Sequence, residues 1–300
     1  HISNSGIEHQ FSNHENLSAL NLEMLLKTNT LSPYKYYDFD FDHQFIPCEK
    51  YDSKKSYKME RGYFPGVSTI GKHIVHIENR NGNTNVKYKQ ADTLKNAYDL
   101  LKSKNISIDR SRMDCGSFSK EIIDVVQQNS NRIYIRAQRC AELSTQIRAV
   151  KTWEKVQIGL FDVEVCSVNY VPFKGDKTYR YVVSRQPNKT GQTDIEFQDN
   201  FIYRAILTND LESSDREIIE YYNQRGAAEK IFDEMNNDFG WNKLPFSFLK
   251  VCSEKVSFVK TTYRLKKFIF RFVVVPFKWI RQSRQNILKL YTQKEYPRLI

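Results

Sequence analysis

The sequence predicts an α/β fold, a mixed sheet flanked by helices, with an all-β insertion ahead of one late helix. Three observations carry this. Strands and helices alternate between Tyr36 and Ala137, a cluster of short β-branched strands follows, and an amphipathic helix then runs through Tyr221 to Met235. The chain divides accordingly into a lead-in (1–34), the first part of the core (35–139), a β insertion (140–211), the rest of the core (212–249) and a basic C-terminal region (250–300). The chain opens on His1 rather than Met, and the expectation is that an N-terminal part is missing.

The lead-in holds one apolar helical run, Leu17 to Leu26. Tyr36 to Ile46 then alternates aromatic and acidic residues, so Asp38, Asp40 and Asp42 share one strand face. Like charges so close repel, and the stretch is either an exposed edge strand or a site for a cation. Gly66 to Ile70 and Lys72 to Glu78 read as two strands of an antiparallel meander. Asp92 is the expected cap of a helix over Thr93 to Lys104, whose apolar stripe is Leu94, Ala97, Tyr98 and Leu101. Ile106 to Met113 is a strand that ends on Asp114. Gly116 and a serine cap then open the helix Ser119 to Gln128, and a carboxylate at that junction sits where α/β proteins hold ligands. Arg132 to Ala137 is the next strand.

In the insertion, Val156 to Phe161, Glu164 to Tyr170, Tyr179 to Ser184 and Phe201 to Thr208 are short strands separated by turn-rich segments. Ser213-Ser214-Asp215 signals the start of the late helix. Tyr222, Arg225 and Glu229 fall one turn apart on a polar face, while Ile218, Ile219, Ala227, Ile231 and Phe232 supply the buried side.

With 46 Lys+Arg against 35 Asp+Glu the formal charge is +11, a balance that suits a polyanionic partner. The C-terminal region concentrates it, interleaving Arg264, Lys266, Lys267, Arg271, Arg281 and Arg284 with aromatic residues. Such a pattern serves phosphate contact and base stacking, or else a solvated basic helix face. Five scattered cysteines, odd in number and without C-x2-C spacing, speak against a disulfide framework or zinc knuckle and for a reducing compartment. The apolar run Phe268 to Ile280 is short and broken by Arg271 and Lys278, so no membrane partner is expected.

Asp42 on a first strand, Asp114 after a strand beyond the first helix, and Glu229 on a late helix follow the layout of an RNase H-like nuclease core. Over about residues 35 to 249 the sequence resembles the DDE transposases of bacterial insertion sequences, in the families numbered four and thirteen-eighty, with piggyBac as a more distant relative. Asp42-His43-Gln44-Phe45-Ile46, Asp114-Cys115-Gly116-Ser117-Phe118 and Tyr222-x2-Arg225-x3-Glu229 carry the likeness, with Asn236-Asn237-Asp238-Phe239-Gly240-Trp241 behind them.

The resemblance implies a transposase that cleaves at the ends of its element and joins them to target DNA, through a hairpin intermediate and as a homodimer on paired ends. It implies Asp42, Asp114 and Glu229 as catalytic and metal-binding residues, while the strand pattern leaves Asp40, on the same face as Asp42, as the alternative first ligand. Two Mg²⁺ ions, or Mn²⁺ in their place, are the expected cofactors, since hard cations about 3.5–4 Å apart activate the attacking oxygen and stabilise the leaving one. Tyr222 and Arg225 are implied DNA contacts. The family's later signature lysine is replaced here by Asn236, which shifts that contact to Lys230 or Lys243 or removes it. Trp153, at the entry to the insertion, is the candidate to stack on an unpaired base. Double-stranded DNA, as transposon end and as target, is the expected partner, and the bacterial cytoplasm, at the nucleoid, the expected location. A nuclease without strand transfer and an inactive DNA-binding remnant are the rival readings.

Overall fold

The computed structural model describes residues 11–13, 15–57, 59–188, 197, 199–226, 232–233, 277–282 and 285–290. Among them, one ten-stranded mixed sheet organises the chain. Its centre is three parallel strands, β2 (Tyr36–His43), β8 (Ser107–Met113) and β9 (Ser130–Arg136). On the β2 side lie β6 (Gly66–Ile70), β7 (His73–Arg80) and β1 (Phe11–Asn13), all antiparallel. On the β9 side lie β13 (Phe201–Thr208), β12 (Tyr179–Pro187), β11 (Phe161–Tyr170) and β10 (Glu154–Ile158), again antiparallel. The β insertion therefore continues the main sheet rather than forming a separate body. A hairpin of β14 (Phe277–Gln282) and β15 (Gln285–Leu290) falls in the C-terminal region.

Period-two alternation assigns the two faces of the sheet. Phe39, Phe41, Met113, Ile133, Ile135, Tyr181 and Val183 point into one core cluster. That cluster also takes the apolar stripes of α1 (Glu15–Lys27), α2 (Gln90–Ser103), α3 (Lys120–Asn129) and α4 (Ala141–Ala149). Tyr134, Val182 and Ile206, one residue out of phase, join Ile218, Ile219, Tyr221 and Tyr222 of α5 (Asp215–Asn223) in a second cluster. Each fully buried Phe or Leu contributes about 1.5–3 kcal/mol, so slipping β2 by one residue would exchange Phe39 and Phe41 for aspartates. That penalty holds the acidic face of β2 toward α5.

Local signals account for most element ends. Ser119 caps α3, its hydroxyl accepting from the Ile122 amide at 3.4 Å. Ser214 and Glu217 form a reciprocal capping box that starts α5. The cap expected at Asp92 is not formed. The helix begins three residues earlier, after Lys89 in the left-handed region (φ 51°), with no side-chain cap. The preceding loop is held instead by Arg80, whose Nη1 donates to the carbonyls of Asn85 and Val86 at 2.9 Å each, and this tertiary grip fixes the chain's entry into α2.

Candidate active site

The acidic face of β2 meets β8 in register, and the pairing sorts its three aspartates. Asp38 lies opposite Arg110 and Asp40 opposite Arg112, while continuing the register one step beyond Phe41–Met113 brings Asp42 level with Asp114. The same step beyond Met113–Ile135 brings Asp114 level with Arg136. Neighbouring strands are about 4.8 Å apart, so Asp42, Asp114 and Arg136 form one row across the carboxyl ends of the three parallel strands.

The first two rows are charge-balanced. Arg110 holds Asp38 by two hydrogen bonds of 2.8 Å, and Arg112 holds Asp40 by two of 2.7 Å in a buried setting. Arg112 also donates to the Tyr221 carbonyl at 2.8 Å, and both guanidinium groups lie over the Tyr221 ring, at 4.1 and 4.5 Å from its centroid. Both oxygens of Asp40 are thus engaged by an arginine, and we assign it a structural role rather than that of a first metal ligand.

The third row is different. No strand arginine separates Asp42 from Asp114, and the two carboxylates repel. Burial, opposed by Arg225 and reinforced by the charge of Asp114, raises the Asp42 carboxyl above its ordinary value. Arg225, in a 3₁₀ turn (Gln224–Gly226) directly after α5, donates to Asp42 Oδ2 at 2.6 Å. The Asp114 side chain accepts from the Gly116 amide at 3.0 Å, so the carboxylate also closes the tight turn that leads to α3. Tyr222 is buried, and its hydroxyl donates to the Met113 carbonyl at 3.1 Å, pinning α5 to the end of β8 beside Asp114. That contact makes it a positioning residue of the site.

Sequence reasoning passed over two arginines. Arg136 and Arg204 extend from the same sheet face, and neither has an ion-pair partner among the described residues. Burial lowers the Arg136 guanidinium below its ordinary value, and the positive charges of Arg204 and Arg225 press the same way. Together with Arg185, Tyr222 and Asn223 they line a cleft of about 430 Å³, which Arg136, level with Asp114, and Tyr222, bonded to the end of β8, connect to the carboxylate row. Only the strand register, which places Arg136 in the row of Asp114, distinguishes it from other basic residues.

Trp153 is half-buried against the core. Arg185 lies over its ring at 4.1 Å and Tyr203 meets it edge-on at 6.0 Å, so one face of the indole is already covered. Glu229, Lys230, Lys243, Arg264, Lys266, Lys267, Arg271 and Arg284 lie outside the described residues, and Arg281 is placed only by its backbone on β14. Among the described residues no group of three or more His, Cys, Asp or Glu could hold a metal ion, and no helix is long and apolar enough to cross a membrane.

A family model described as "Transposase DDE domain group 1" matches residues 10–290. The chain belongs to this DDE transposase family. A search of curated proteins gives no match. Among solved structures, it is similar to the piggyBac transposase in a synaptic complex with hairpin DNA, determined by cryo-electron microscopy, at 11% identity and a TM-score of 0.42. The match covers 75% of this chain and 46% of that one, so the chain spans just under half of the piggyBac protein's length.

Proposed function

We propose that this protein is a DNA transposase that cuts phosphodiester bonds at the ends of its element and transfers the freed 3′ ends to target DNA. Family membership supports the reaction class. The observation that carries the site is the row of Asp42 and Asp114, two adjacent carboxylates whose cation is Arg225 of the turn after α5 and not, as in the two rows before it, an arginine of the facing strand. A fold selected for stability alone would avoid that juxtaposition.

Asp42 and Asp114 are the proposed holders of divalent cations, with Glu229 as the third carboxylate. The donor set suits hard ions such as Mg²⁺, or Mn²⁺ in its place, because all the donors are carboxylate oxygens. When bound, the ions supply activation of the attacking hydroxyl and stabilisation of the leaving oxygen. The chain's own residues do the positioning. Tyr222 fixes α5 against the strand that carries Asp114. Arg225, now on Asp42, is placed to hold a phosphate once the carboxylate is taken up elsewhere. Arg136 and Arg204 offer a second pair of donors for the DNA backbone along the cleft. Trp153, behind Arg185 at the rim, is the proposed stacking partner of an unpaired base, and Lys230, Lys243 and the basic C-terminal residues are proposed phosphate contacts. A homodimer on paired ends and a place at the bacterial nucleoid complete the reading.

The test uses DNA that carries the element's own terminal sequences. Metal-dependent cleavage at the ends and joined products from precleaved ends are expected. Cleavage without joining would leave a nuclease, and binding with no cleavage in Mg²⁺ or Mn²⁺ would leave an inactive remnant.

A further inference from the structure

The ladder that joins β2 to β8 ends at Phe41–Met113, one residue short of the two carboxylates. After His43 the chain leaves the main sheet for a small antiparallel sheet of β3 (Ile46–Pro47), β5 (Arg61–Tyr63) and β4 (Lys54–Lys55), and it returns at Gly66. After Met113 it turns through Asp114 to Phe118 and enters α3. The spacing of Asp42 and Asp114 therefore draws on a support besides the strands that carry them.

That support lies on the opposite face of the sheet. His43 points away from Asp42, in a row with Gly66 and Glu78. Gly66 has no side chain, and the Glu78 carboxylate fills the gap: a Cβ on Gly66 would sit 2.7 Å from Glu78 Oε1 and 2.8 Å from the Phe41 ring. Oε1 accepts from Arg80 Nε and lies 3.7 Å from His43 Nε2, and Oε2 accepts from the Thr93 hydroxyl of α2 at 2.9 Å. The His43 ring is held between Phe41 and Phe64, at 5.0 and 5.4 Å between centroids. Glu78 and Arg80 are both fully buried.

Arg80 carries the connection onward. Its Nη1 grips the carbonyls of Asn85 and Val86, and the segment 85–90 in turn grips the turn of Asp114. Lys87 Nζ donates to the Phe118 carbonyl at 2.7 Å, and Gln90 Nε2 donates to the Ser117 hydroxyl at 2.5 Å. Val86 packs on Gly116, where an added Cβ would sit 3.3 Å from its Cγ2, and it is the Gly116 amide that the Asp114 carboxylate accepts from. One buried ion pair thus stands between the neighbour of Asp42 and the turn that aims Asp114. Apolar packing would stabilise a fold as well as such a pair does, whereas the groups that orient metal-binding side chains act through geometry.

We propose that Glu78 and Arg80 are positioning residues that set the distance between the Asp42 and Asp114 carboxylates, through His43 on one side and the segment 85–90 on the other. The assignment rests on the transposase reading for what the two carboxylates do. Lys87 and Gln90 are the far end of the same device, and they act on Asp114 without touching it.

The full chain is titrated with Mn²⁺ alone, and binding is read from the loss of the free ion's electron paramagnetic resonance signal. Glu78→Leu/Arg80→Met removes both buried charges and leaves the net charge unchanged. It should keep a cooperative melting transition while Mn²⁺ affinity falls about 10–100-fold. Lys87→Met, at an exposed position, removes the donor to Phe118. Loss of a neighbouring positive charge would by electrostatics alone tighten cation binding, whereas loss of support for the Asp114 turn should weaken it severalfold, with Lys87→Arg restoring it. Unchanged or tighter binding by Lys87→Met, or wild-type affinity in a folded double variant, overturns the proposal. If the double variant fails to fold, the Lys87 variants decide. Binding by the wild type with no loss in the variants removes the positioning role alone, whereas a wild type that binds no Mn²⁺ removes the carboxylate site and the positioning role with it.

Discussion

Two aspartates two residues apart on the same strand face should respond in opposite ways to loss of charge. Asp40 and Arg112 form a buried, doubly hydrogen-bonded pair, and Arg112 also ties down the Tyr221 carbonyl. Asp40→Asn leaves the guanidinium buried without its counter-charge, a change that costs about 3–5 kcal/mol. Asp42 sits in the opposite balance. Its carboxyl is raised by burial and by Asp114, and the contact it would lose is the pair with Arg225, each side chain 22% exposed, since an asparagine oxygen can still accept from the His43 amide. Asp42→Asn relieves desolvation and repulsion while giving up that contact, so its stability should stay within about 1 kcal/mol of the wild type. Urea unfolding at pH 7 measures both, with Asp40→Leu/Arg112→Met as the control that removes both buried charges and should recover much of the loss. If Asp42→Asn proves the more destabilising of the two, the division between a structural and a functional aspartate is wrong.

Tyr222→Phe keeps the ring in its core and removes the donor to the Met113 carbonyl, so it should cost about 1 kcal/mol by denaturant unfolding, with no gain in DNA affinity. Gly82→Ala should unseat the small sheet, because the added carbon meets two carbonyl oxygens that have no room to retreat. We expect a loss of about 1–3 kcal/mol and faster amide exchange over 46–63. Asp210 is buried, but hydrogen bonds from Tyr134 and from the backbone and hydroxyl of Ser213 outweigh that and hold it at about 2 against an ordinary 3.8. A depressed acid stabilises the fold above its unfolded value, so about 2 kcal/mol is present above pH 3.8 and is lost as pH falls toward 2. Asp210→Asn should remove that part of the acid sensitivity in a pH-dependent unfolding series.

How much of this is legible in the sequence depends on how local each signal is. The period-two face of β2 and the serine caps of α3 and α5 are local, and they place Asp42 and Asp114 on their elements, whereas α5, read as a helix through Met235, ends at Asn223 and leaves Arg225 in the 3₁₀ turn that follows. The arginines that neutralise Asp38 and Asp40 come from a strand 72 residues away, so only the register shows which aspartate faces another carboxylate instead of a strand arginine. The same holds for Arg136, which reads as an ordinary strand-end cation until β9 is set beside β8. The small sheet of 46–63 is invisible to periodicity because its strands are too short to show one. The first turn of α2 is misread because Arg80 and the loop it holds override the propensity of Asp92 to cap.

The central claim is that Asp42 and Asp114 together hold the divalent cations, and binding of Mn²⁺ followed by electron paramagnetic resonance tests it most directly. The wild type should bind Mn²⁺, Asp42→Asn and Asp114→Asn should each lose most of that binding while staying folded, and Asp38→Asn, on the row paired with Arg110, should retain it. Wild-type Mn²⁺ binding by Asp42→Asn and Asp114→Asn would contradict the assignment.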